Sequence, residues 1–250
     1  MDWKYNNWSP KFKENIIIIE LKNLNLDYPY KLPIKIKNGL NKCNLNYKWL
    51  KSEIIKNEFS NIDVYYSKDS QSNKKNFKDE KTIKIKDYIK FLNSNSDEYK
   101  YVFHKFIMNM SDLILNEINI KDFLPIFDLN NLSCKLSEFY IGGIKTGTHL
   151  HNHINVLNFL IFGKKLWIIF PPTSTNKKLI KENKWEYNNL NGNVYDFFIK
   201  NINYILENFN NITMTYQENN EIIYIPKNYY HLVINFSENI GFTLRFLFLI

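Results

Sequence analysis

Two cysteines in 250 residues, Cys43 and Cys134, lie far apart and form no CxxC pair. Their scarcity argues against a disulfide framework or a zinc knuckle, and for a reducing compartment. No uninterrupted apolar run approaches the roughly 20 residues that a membrane span needs. The opening residues, MDWKYNNWSPKFKE, lack the apolar stretch of a secretory signal. Both absences point to a soluble intracellular protein, cytoplasmic or nuclear. There is no internal repeat, no clear linker and no accessory zinc-finger pattern. The formal net charge is +8, but the lysines are scattered through a chain biased toward Asn, Lys and Ile. That scatter argues against a nucleic-acid surface. One further absence is local: no Asp or Glu occurs from residue 139 to residue 181.

What is present suffices for a folded core, with 44% apolar and 16% aromatic residues. The length fits one domain: residues 1–133 supply N-terminal strands and supporting helices, and residues 134–250 a barrel core. ENIIIIELKNL (14–24) reads as a strand. KLPIKIKNGL (31–40) alternates Ile with Lys and runs into an Asn-Gly turn. Trp49, Leu50, Ile54, Ile55 and Phe59 recur at helical spacing. IDVYYS is a short strand, 67–80 an exposed loop, KTIKIKDYIKFLNS a strand passing into a helix, and YKYVFHKF another strand. Residues 107–133 read as helix and loop. From Cys134 onward strands dominate: KLSEFYIGG, THLHNHINVLNFLIFG, KKLWIIFPP, EIIYIP, YYHLVINF and IGFTLRFLFLI, with a polar, helical or irregular stretch at 176–215. Many short strands with Gly or Pro at the corners predict a mainly β barrel or sandwich.

Three of the five histidines fall in THLHNH, residues 148–153. On a strand, residues two apart share a face, so His149, His151 and His153 are expected on one side, the last two within reach of one ion. A barrel metal site needs another ligand from a second strand, and His231 in PKNYYHLVINF is the natural one. His104 in YVFHKF is expected to be structural or to support the site from behind.

GTHLHNH, NFLIFGKKLWIIFPP and IIYIPKNYYHLVINF together resemble the core of JmjC-domain oxygenases, cupin-fold enzymes dependent on Fe(II) and 2-oxoglutarate. PIKIKNGL with the Trp49 helix, and KIKDYIKFL with YKYVFHKF, are similar to the family's preceding segments. The ordered resemblance covers most of residues 14–249, and FPPTSTNKKLIK looks nearest the small protein hydroxylases. It implies a double-stranded β-helix (jelly-roll) core with flanking helices. It also implies oxidative decarboxylation of 2-oxoglutarate to succinate, coupled to hydroxylation of a protein or other macromolecular side chain. Carried over, the metal ligands are His151, His153 and His231. Thr148 matches a threonine that hydrogen-bonds 2-oxoglutarate, and Lys165 the lysine that pairs with its far carboxylate, with Lys164 competing. Asn158 and Thr243 match positions flanking the cosubstrate. Tyr101 matches a supporting tyrosine, with Tyr99 two residues away.

The chain departs from the family at one ligand. Family members hold iron with two histidines and one Asp or Glu, whereas here His153 stands in the carboxylate position. Three neutral imidazoles leave a ferrous centre formally +2 instead of +1, and imidazole also suits zinc, nickel or copper. Three readings follow: an active 2-oxoglutarate oxygenase, a degenerate domain that binds metal or partners, or a three-histidine dioxygenase with another small substrate.

Overall fold

Alternation in the second half of the chain does produce strands, because each strand buries one side chain set against a facing sheet and the other against helices or loops. The computed structural model describes residues 14–20, 23, 31–40, 51–56, 58–67, 81–94, 100–105, 135–185 and 192–246. The strands are β1 (Ile17–Glu20), β2 (Ile34–Lys37), β3 (Asp63–Ser67), β4 (Lys81–Lys84), β5 (Tyr101–Lys105), β6 (Lys135–Gly142), β7 (Gly147–His151), β8 (Asn155–Phe162), β9 (Lys165–Phe170), β10 (Thr213–Gln217), β11 (Ile222–Ile225), β12 (Tyr230–Asn235) and β13 (Asn239–Phe246). The helices are α1 (Lys51–Lys56), α2 (Ile85–Asn93), α3 (Ser174–Glu182) and α4 (Val194–Asn208). The expected strand-to-helix passage at 81–94 is present as β4 and α2. Trp49, the expected loop at 68–80 and the segment 107–133 lie outside the described residues.

Among the described residues the strands form two sheets, a larger one ordered β1-β2-β11-β8-β13-β6-β5-β3-β4 and a smaller one ordered β10-β9-β12-β7. The fold is mainly β, as expected. Between the sheets pack Val156, Trp167, Ile169, Ile223, Ile225 and Val233. The outer face of the larger sheet carries Leu157, Phe159, Phe242 and Leu244 against Tyr88 and Ile89 of α2. The outer face of the smaller sheet carries Leu166, Ile168, Phe170 and Leu232 against Ile180 of α3 and Phe198 and Ile205 of α4. Inward and outward sets therefore alternate along β8, β9 and β12. No described helix is long and apolar enough to cross a membrane.

Two expectations are corrected. THLHNHINVLNFLIFG is not one strand: it breaks at 152–154 into β7 and β8. Within 176–215, read as helical or irregular, TMTYQ forms β10, which pairs with β9 in register from Thr213↔Ile169 to Gln217↔Lys165. The stretch is only five residues long and is embedded in Asn-rich sequence, so its pattern is weak locally; pairing along β9 decides it. The other edge of β10 is covered by side chains. Tyr216 N donates to Glu14 Oε1 at 3.0 Å, Met214 N to Asn15 Oδ1 at 2.8 Å, and Lys35 Nζ bonds Glu14 Oε2 at 2.6 Å. Occupied donors of this kind keep an edge strand from pairing with another chain.

Leu232 is fully buried on the outer face, next in sequence to the inward His231. Leu232→Ala should lower unfolding free energy by about 2–5 kcal/mol in urea titrations. Metal stoichiometry should be unchanged, because the deleted atoms face α3 and α4.

Candidate metal centre

β12 lies between β9 and β7, so its inward residues meet both neighbours. On the β9 side His231 faces Ile169, Val233 faces Trp167 and Asn235 faces Lys165. On the β7 side His231 pairs with His151 and Val233 with Thr148, with a register shift between them. Two residues of β12 thus oppose three steps of β7, which is a bulge. It turns Thr148 and His151 to the same inward side although they are three apart. His149 is corrected accordingly: it does not share the face of His151. It is fully buried on the outer side, its Nε2 2.7 Å from Gly192 O and its ring edge-on to Phe197 of α4. The expected two-residue alternation fails here because the bulge adds a residue.

His151, His153 and His231 offer ligand nitrogens that all lie within 4.8 Å of one another. Each ring uses Nδ1 on a backbone carbonyl: His151 on His149 O at 2.7 Å, His153 on Ile154 O at 2.6 Å, and His231 on Tyr229 O at 3.2 Å. A carbonyl only accepts, so each Nδ1 carries a proton, and in the neutral ring each Nε2 is left with the lone pair. Three neutral imidazoles with converging lone pairs form a ready nitrogen donor set, and anchoring the second ring nitrogen is how metal-binding histidines are usually oriented. Without a cation the lone pairs would crowd each other. His231 is buried, and burial first, then the neighbouring His151 and His153, push its pKa well below the usual 6.5. The chemistry of the donors therefore fits a divalent transition metal, and the arrangement can hold one.

The turn between β11 and β12 builds two of these three positions. Asn228 adopts a left-handed backbone (φ 70°), and its N–H donates to His153 O at 3.0 Å. Asn155 Oδ1 accepts from Lys227 N at 2.9 Å, tying the same turn to the start of β8. His153 lies beyond the end of β7, so this turn takes the place of a sheet in locating it. Trp167 flanks His231, with ring centroids 5.7 Å apart, and is itself pinned by its Nε1–H donating to the buried Gln217 at 2.9 Å.

Lys165 begins β9, four residues below the level of His231, and is only 1% exposed. Its ammonium sits 3.2 Å from the ring centroid of Tyr140, and no acid pairs with it among the described residues. Burial alone drives its pKa well below 10.5. Lys164 points elsewhere, to an ion pair with Glu218 at 3.2 Å. The side chain beneath the metal cluster is therefore Lys165. Around it lie Tyr101, Tyr140 and Leu160. Asn235, opposite Lys165, is buried, and its Oδ1 has no hydrogen-bond partner among the described residues. Gly142 allows the close approach of these side chains, because a Cβ there would stand 2.3 Å from Asn235 Nδ2 and 2.9 Å from Tyr101. A buried cation with no acid of its own fits a small anion, whereas Asn235 Oδ1 only accepts and calls for a donor. Asn158 is inward and accepts from Tyr140 Oη at 2.9 Å. Thr148 faces inward beside Val233, and Thr243 pairs with Asn158 across β13 and β8. The structure thus places the eight expected residues on the inward sides of the two facing sheets and at the end of β7. Tyr99 and the side chain of His104 lie outside the described residues.

Sequence reasoning did not single out Tyr140, Asn235, Gln217 or the pair Glu138–Arg245. Glu138 is buried on the inward face of β6, bonded to Arg245 Nη2 at 2.6 Å and accepting from the Thr243 hydroxyl. It is not a member of the histidine group, and among the described residues no acid joins that group. The signal that identified Lys165, a charge inside an apolar strand, was equally present in KLSEFYIGG and TLRFLFLI. No protein-family model and no curated protein matches the chain.

Replacing His151 or His231 by Ala should abolish stoichiometric Co(II) binding followed by visible absorption, whereas His149→Gln should retain it. The pH dependence has a definite sign. Between the depressed pKa of His231 and 6.5 the unfolded chain binds a proton that the native chain does not. The contribution of His231 to stability is therefore complete above pH 6.5 and declines as pH falls. Urea titrations of the metal-free protein at successive pH values should show a shallower decline for His231→Leu than for the wild type. Lys165→Met removes a buried, unpaired cation and should raise stability at neutral pH by about 1 kcal/mol or more, read as a higher urea midpoint.

Proposed function

We propose that this chain is an Fe(II)- and 2-oxoglutarate-dependent oxygenase of the JmjC kind, hydroxylating a protein side chain. The observation that carries the reading is a pairing: three converging imidazoles, and below them a buried lysine with no acid of its own. A metal site alone would not need the lysine. The order of strands supports the same reading. β6, β8, β11 and β13 lie in the larger sheet, and β7, β9, β10 and β12 in the smaller. The chain therefore crosses repeatedly between facing sheets, which is in keeping with a double-stranded β-helix.

On this reading His151, His153 and His231 hold iron, and Lys165 pairs with the far carboxylate of 2-oxoglutarate. With both bound, molecular oxygen is reduced as 2-oxoglutarate loses carbon dioxide to become succinate, and one oxygen atom enters a substrate C–H bond. The protein residues position and shield. Thr148, Asn158 and Thr243 border the cosubstrate from three strands, and Tyr101 and Tyr140 line the end where Lys165 sits. Val156, Trp167, Ile169, Ile225 and Val233 form an apolar floor that excludes water. No side chain is required as nucleophile or general base.

A second reading, a metal-binding domain without turnover, is favoured because no acid among the described residues joins the histidine group. Anaerobic titration with Fe(II) and then 2-oxoglutarate, followed by succinate release under air, separates the two. The oxygenase reading expects both binding steps and succinate above the enzyme-free rate; iron binding with no 2-oxoglutarate-dependent turnover would sink it. Lys165→Met should raise the 2-oxoglutarate requirement at least about tenfold, the loss of one charge-assisted contact. A large gain in succinate release from His153→Asp would show that the natural chain is degenerate.

A further inference from the structure

Arg245 is a second cation on the inward face, separate from Lys165 and unused by the mechanism above. On β13 it lies opposite Val156 of β8, and Val156 in turn lies opposite Ile225 of β11. Val156 and Ile225 belong to the apolar floor beside His231. The two cations therefore stand at different levels: Lys165 is level with Asn235, whereas Arg245 borders the floor near the histidines. The positive charge of Arg245 also contributes to holding down the pKa of His231. The guanidinium is anchored but not used up. Nη2 meets Glu138 Oε1 at 2.6 Å, while Nε is buried with no hydrogen-bond partner among the described residues. A guanidinium has five N–H donors in a rigid plane. The side chain keeps 24% of its surface exposed, whereas Glu138 keeps 5%. Glu138, fixed in turn by the Thr243 hydroxyl, acts as a backstop that orients the arginine toward the open side.

We propose that Arg245 is a specificity-determining residue, which anchors an acidic group of the substrate, a carboxylate or a phosphate, at the open face of the three-histidine centre. This rests on the oxygenase reading for the word substrate, but the binding itself does not need turnover. The buried Nε–H shares its edge with the Nη2 that Glu138 holds, so an oxyanion at the exposed part of the side chain would take the remaining N–H donors. Lysine could not do the same, because the fork geometry is what lets one group face Glu138 and the ligand at once.

The test uses the Co(II)-loaded full chain under argon with saturating 2-oxoglutarate, so that the deeper lysine is occupied. N-acetylglutamate and O-phosphoserine are titrated by calorimetry, with N-acetylglutamine as the neutral control. At least one acid should bind saturably, and which one binds distinguishes carboxylate from phosphate. Its affinity should fall at least about tenfold in Arg245→Gln, the loss expected for hydrogen bonds to a charged group, and should be only partly kept in Arg245→Lys. Because Arg245→Gln removes the cation that faces the buried Glu138, Arg245→Gln with Glu138→Gln serves where the single variant does not fold, and the same loss is expected. The proposal is overturned where neither acid binds, where the neutral control binds as well as the acids, or where the variants bind as tightly as the wild type. The response of the Co(II) absorption to 2-oxoglutarate is followed separately. Its absence with Arg245-dependent acid binding intact defeats the oxygenase reading and leaves the anchor standing; the reverse pattern defeats the anchor alone.

Discussion

The site depends on one strand, β12, being hydrogen-bonded on both sides. Pairing to β9 sets His231, Val233 and Asn235 against Ile169, Trp167 and Lys165, and so fixes how far the lysine lies from the histidines. Pairing to β7 brings His151 opposite His231, and the bulge turns Thr148 the same way. A slip of one residue would exchange Leu232 and Ile234, now packed against the helices, for the polar set. The apolar outer face thereby holds the register that the inward chemistry needs.

Charge inside the molecule is arranged in two unlike ways. Glu138 and Arg245 compensate each other, so that pair is nearly neutral as a unit. Among the described residues Lys165 has only the face of Tyr140 for compensation, and its burial opposes protonation. A fold retains such a cation at a cost to stability. The three imidazoles add no negative charge, and a divalent ion among them would keep its full charge. With a divalent ion held by the cluster, cluster and lysine would both present positive charge, four residues apart along the sheet. Retaining an uncompensated lysine beside a neutral donor set is difficult to account for by packing alone.

Much of this was legible in the sequence, for identifiable reasons. β8 and β9 are buried on both faces, so they read as near-continuous apolar runs, and a lysine inside such a run stood out. His231 was recognisable because the strand around it is strongly patterned. The failures are equally local. His149 was placed with its neighbours because nothing in THLHNH marks a bulge; the extra residue exists only relative to β12. Lys164 and Lys165 are indistinguishable by type, and only the start of β9 sends them to opposite sides. Glu138 and Arg245 were missed because they meet through the register of β6 and β13, not through proximity in sequence. β10 was missed because its pattern is too short to be heard above its Asn-rich surroundings.

Where the resemblance expects an acid the chain has His153, and the difference is more than one donor atom. An imidazole Nε2 lies farther from its backbone than an aspartate oxygen does, so the two ligands need different backbone positions to reach one ion. Here residue 153 lies past the end of β7, its carbonyl held by the left-handed Asn228 and its ring by the carbonyl of Ile154. Those contacts set the main chain and the ring together, and they direct Nε2 to where the lone pairs of His151 and His231 converge. A residue left over from a discarded ligand position would not need its second nitrogen anchored as the other two are. The turn that carries Asn228 also supplies, through Tyr229, the carbonyl that orients His231. One loop therefore positions both His153 and His231, which makes the three-histidine arrangement a built feature of this fold.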